Sequence, residues 1–75
     1  MNLERLVQMV NDIANYFVVE PEHKEAVAGV AGHLKRFWDP TMRQQIIEHA
    51  QTGGEGLSDL ALAAVMQLAG ATTAT

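Results

Sequence analysis

Along the first segment of the chain, Leu3, Leu6, Val7, Val10, Ile13, Ala14 and Phe17 recur at spacings of three and four. Glu4, Arg5, Gln8, Asn11, Asp12 and Asn15 fall between them, which predicts an amphipathic helix. Asn2 is placed to cap its first turn, and Pro21 forces Glu20 out of helical geometry, so helix 1 should end near Val18. Pro21 suits the first position of a second helix, where its missing N–H would have had no partner. Glu22 and Glu25 complement the positive end of that helix, and Lys35 and Arg36 the negative end. Its apolar stripe is Val27, Val30, Ala31 and Leu34, continued by Phe37 or Trp38. Inside it lie Gly29 and Gly32, each costing about 1 kcal/mol relative to alanine. Either a neighbouring backbone comes close there or the loss is tolerated without reason.

Asp39 is pressed toward extended geometry by Pro40, which is the geometry of a helix N-cap, and its carboxylate can accept the Met42 N–H. One residue thus ends helix 2 and starts helix 3, whose shorter stripe is Met42, Ile46, Ile47 and Ala50. Gly53, Gly54 and Gly56 then form a loop, with Gly53 suited to the left-handed position after a helix end. Leu57 and Ser58 read as a staple residue and an N-cap, Leu57 being placed to touch Leu62. Helix 4, Asp59 to about Ala69, is apolar almost all round, and a helix without a polar face is buried on more than one side. In so small a domain that implies contact with a second chain or another copy, unless its alanines exaggerate its apolarity. The expected fold is all-α, a small bundle of four short helices with a sharp Asp-Pro corner between helices 2 and 3. Residues 1–69 form one domain, and 70–75 are expected to be a disordered tail.

With 75 residues, such a chain removes only about 60% of its unfolded surface from water. A core of this size supplies about 3–5 kcal/mol at most, so small chains lean on disulfides, metals or partners. Cysteine is absent, which leaves a partner as the support and fits a reducing compartment. The formal charge of −4 and only five lysines and arginines argue against nucleic acid. The N-terminal residues carry acids among apolar positions and read as neither signal nor transit peptide. No run approaches the roughly 20 apolar residues of a membrane span. A soluble, cytoplasmic protein is expected.

Catalytic chemistry is hard to place on this sequence. His23, His33 and His49 do not share the i, i+3 or i+4 spacing of a helical metal pair, and Glu22 with Glu25 is explained by the helix dipole. TGGEG lacks the preceding strand and the lysine of a phosphate loop. A helix-turn-helix made of helices 2 and 3 would bring a single arginine, Arg43, on its second helix. One cluster stands out: Lys35, Arg36 and Arg43 gather around the Asp39-Pro40 corner beside Phe37, Trp38 and Met42. Tryptophan and arginine are the types most enriched at binding hot spots. Leu34, Phe37 and Trp38 share a helical face, so one ring at least points inward; the reading taken is Phe37 inward and Trp38 partly exposed. Alternatively both rings plug the corner. The residues expected to bind a partner are His33, Arg36, Trp38, Met42 and Arg43, with Leu62 and Met66 on the outer face of helix 4.

The run AVAGVAGHLKRFWDPTMRQQIIEHAQTGGEGLSDLALAAVMQL resembles the small delta subunit of cytoplasmic NAD-dependent molybdenum or tungsten formate dehydrogenases. HLxRFWDPxMR is its specific part, and LVQMVNDIANYF is similar to the family's N-terminal helix, so the likeness covers Leu3 to Leu68. The resemblance implies a non-catalytic accessory subunit that associates with the large alpha subunit and favours its maturation or stability. It implies no cofactor in this chain; bis-molybdopterin guanine dinucleotide, iron–sulfur clusters and FMN are expected in the partner subunits. Two other readings remain: a self-associating module that forms a homodimer through helix 4, and a small protein binding an anionic nucleotide or cofactor through Lys35, Arg36 and Arg43.

Overall fold

Asn2 opens the first helix by accepting the Glu4 N–H on its side-chain oxygen at 2.7 Å, and α1 runs Leu3–Phe17. The structure, a computed structural model, describes residues 2–73, with side-chain surroundings through Gly70. Helix α2 spans His23–Phe37, α3 Pro40–Gln51 and α4 Asp59–Thr73, an all-α bundle.

Pro21 does not take the first helical position expected for it. A turn closed by the Glu20 N–H on the Phe17 carbonyl, at 3.0 Å, carries the chain past Pro21. Glu22 is extended, and helical bonding starts when the Ala26 N–H reaches the Glu22 carbonyl at 3.0 Å.

At the other end of α2 one helix stops and the next starts within two residues. Trp38 donates the last helical bond, to the Leu34 carbonyl at 3.0 Å, yet its own backbone is extended at φ −91° and ψ 141°. Asp39 accepts the Met42 N–H on Oδ1 at 2.9 Å and so caps α3, with Pro40 in its first turn. Helix α3 closes in a Schellman pattern: the Gly54 N–H bonds the His49 carbonyl at 2.9 Å and the Gly53 N–H the Ala50 carbonyl at 3.4 Å. Gly54 has φ +64°, a backbone conformation that favours glycine, and a Cβ there would lie 2.6 Å from Leu62 Cδ1, which would have to shift.

The glycine loop is held from two sides. His49 donates from Nε2 to the Glu55 carbonyl at 2.7 Å. Asn11, from α1, donates through Nδ2 to the Gly56 carbonyl at 2.8 Å and accepts the Ser58 N–H on Oδ1 at 2.9 Å. An amide side chain offers a donor and an acceptor side by side, as a peptide group does, and here it joins α1 to the start of α4. Ser58 then caps α4, accepting the Ala61 N–H at 3.2 Å. Asn11→Ala removes both bonds and is expected to cost about 1–3 kcal/mol, at the usual net worth of a hydrogen bond. A fall in the urea midpoint at unchanged slope would register it, and an unchanged midpoint would mean the loop stands without Asn11.

The core gathers Leu6 and Val10 of α1, Val30 and Leu34 of α2, Ile46 of α3 and Val65 of α4. Helix α4 meets all three other helices, most extensively α2. Ala61, Ala64, Val65, Leu68 and Ala69 are buried, so the burial on more than one side expected of α4 is met within its own chain. Its mostly small side chains let it sit among three neighbours. The end of α4, expected near Ala69, lies at Thr73; Ala74 and Thr75 of the expected tail, like Met1, lie outside the described residues. Among the described residues no helix is long and apolar enough to cross a membrane.

Candidate protein-docking site

The expected orientation of the two corner aromatics is reversed. Trp38 is only 5% exposed and belongs to the core with Leu34 and Ile46, whereas Phe37 is 70% exposed. Helical spacing ceases to set side-chain direction once the backbone leaves the helix, and at Trp38 it has left. The larger ring fills the corner, and Phe37, the last residue of α2, stays outside.

Arg43 is not a free cation at this corner either. Its Nη1 donates to the Trp38 carbonyl and, at 3.2 Å, to the Lys35 carbonyl. A guanidinium thus sits where the last carbonyls of α2 and the negative end of its dipole are, fastening α3 to α2. Of Lys35, Arg36 and Arg43, Arg43 is thus engaged with backbone carbonyls. Met42 is half-buried and packs against the core, and Leu62 is half-buried over Gly54. Met66 is 45% exposed on α4. His33 is half-buried and Arg36 is exposed, both on α2.

His33 and Arg36 belong to a surface that the sequence did not single out as such. The His33 and Phe37 rings lie 4.8 Å apart at 45°. Tyr16, 78% exposed, meets Phe17 edge-on with ring centroids 5.2 Å apart. Phe17 in turn covers Gly29, where a Cβ would come within 2.6 Å of its ring. The close approach suspected at Gly29 is therefore real, but what approaches is an aromatic ring of α1. Two adjoining hollows share Phe17 and His33: one reaches over Gly32 to Arg36 and Phe37, the other over Ile13 to Tyr16 and Asp12. Three of the chain's four aromatic residues thus line one groove between α1 and α2. The glycines in α2 were the available signal; Tyr16 and Phe37 gave none, because their exposure depends on what the other helices leave uncovered.

Among the described residues, no group of three or more histidine or acidic side chains could hold a metal ion. The hollow at the α1–α2 turn is bordered by Glu20, His23 and Asp59.

Residues 5–65 match the model of the NADH-dependent formate dehydrogenase delta subunit family, FdsD. The chain belongs to this family. Neither a curated protein nor a solved structure matches it. The FdsD match runs from the first turn of α1 into α4, so it takes in the capped corner, the glycine loop and the groove alike. As a member of a delta-subunit family, the chain is a component of a formate dehydrogenase complex with other subunits.

Proposed function

We propose that this chain is the accessory subunit of a cytoplasmic NAD-dependent formate dehydrogenase, that it docks on the large molybdenum-bearing alpha subunit, and that it supports that subunit's maturation or stability. The family match over residues 5–65 carries this reading. The surplus of exposed aromatic surface supports it, because rings such as Tyr16 and Phe37 gain by leaving water. Formate oxidation at bis-molybdopterin guanine dinucleotide, transfer through iron–sulfur clusters and reduction of NAD at FMN fall to the other subunits. The chain acts by linkage: binding the folded, cofactor-loaded alpha subunit in preference to other states stabilises it by RT ln(1 + [L]/Kd), about 2.7 kcal/mol at a hundredfold excess over Kd.

Expressing the alpha subunit with and without this chain tests the proposal. Molybdenum bound per alpha subunit, or the thermal midpoint of the loaded alpha subunit, should rise when the chain is present. Equal metal content and an equal midpoint would reject the role.

A further inference from the structure

The groove between α1 and α2 has features that the packing of the free chain does not explain. Tyr16 and Phe37 stand largely in water on its borders. Large rings in that position are the usual anchors of an interface, since they bury much area for few rotatable bonds. Gly32 lies in the groove, in the interior of α2, and a Cβ added to it would meet nothing within 4 Å. Alanine would thus fit the free chain and hold the helix better. Gly29 has its reason in Phe17; Gly32 has none among the described residues. Missing a side chain matters at Gly32 only if something from outside comes close to the backbone.

Charge narrows what comes. Arg36 borders the same hollow, is exposed, and its guanidinium forms no ion pair or hydrogen bond among the described residues. A carboxylate on the visitor would complete it, and a bidentate pair would fix the visitor's register. A groove between two helices, with a bare backbone in its floor and rings on its borders, suits a third helix laid across it.

We infer that this groove receives an amphipathic helix of the alpha subunit, which packs its apolar stripe against Tyr16, Phe17 and Phe37, passes closest at Gly32, and presents an Asp or Glu to Arg36. The inference rests on the functional reading above and assigns the face through which that docking occurs.

Gly32→Ala gives the sharpest test, because it separates folding from docking. In the isolated chain it should raise Tm by about 4–8 °C, from the helix propensity gained. Against the purified alpha subunit, measured by biolayer interferometry, it should weaken binding at least tenfold. Phe37→Ser should weaken it about 30-fold, the scale of a hot-spot ring. Arg36→Glu should weaken it tenfold or more, while Met66→Ser, on α4, should bind as the unmodified chain does. If the unmodified chain binds and Gly32→Ala, Phe37→Ser and Arg36→Glu bind equally well, the face is wrong and the functional reading stands. If the unmodified chain does not bind the alpha subunit at all, both fall. A dimer of the free chain that Gly32→Ala dissolves would give the groove to a second copy and overturn the assignment.

Discussion

Trp38→Ala is expected to unfold the isolated chain. Its ring is almost wholly enclosed at the α2–α3 corner, and truncating a buried tryptophan costs about 3–5 kcal/mol, counting lost burial and the cavity left behind. A domain this size has about that much stability in total. Local groups also hold the corner: the Asp39 cap and the Arg43 bonds to the Lys35 and Trp38 carbonyls. These fix the path of the backbone but bury little. Far-UV circular dichroism at 25 °C should show loss of helix in the variant, while Phe37→Ala, one residue earlier and exposed, should retain the helical signal and melt near the parent. A folded Trp38→Ala chain with a parental midpoint would mean that the ring does not hold the corner.

Nearly as large an effect is expected on α4, where two substitutions close together should have opposite outcomes. Ala64 is fully buried, and Met66 faces solvent. Ala64→Asp places a carboxylate in the core with no partner, which costs about 3–5 kcal/mol even after the group adapts. Met66→Asp leaves its carboxylate hydrated and should change stability by about 0.5 kcal/mol or less. Urea unfolding followed by circular dichroism distinguishes them. Were α4 instead an outward face awaiting another chain, both variants would unfold at the parental midpoint. The same pair of measurements thus tests whether the apolarity of α4 serves its own bundle.

Ser58, Asn2 and Asp39 act as caps at the positions the sequence marked for them. Capping depends on a side chain reaching a backbone N–H two or three residues on, so a few neighbouring letters are enough to read it. The same locality misplaced the start of α2, because Pro21 is equally compatible with a turn and with a first helical position. Nothing local marked Asn11 as the tie between α1 and the glycine loop, since Gly56 and Ser58 lie far along the chain from it. Of the residues nominated for partner contact, the groove brings together His33 and Arg36 with Tyr16, Phe17 and Phe37; Trp38, Met42 and Leu62 went to the interior or its margin.

By itself, the order of residues determined the four helices, the Asp39 cap and the glycine turn, since these follow from backbone preferences and from side chains three or four positions apart. It also carried the family likeness. Tertiary structure alone decided which corner ring is enclosed, that α4 is covered by its own chain, and that the surplus aromatic surface lies along α1 and α2. Burial is a property of what the rest of the chain places over a residue, and at a helix end, where the 3.6-residue period stops, spacing no longer says which way a side chain turns.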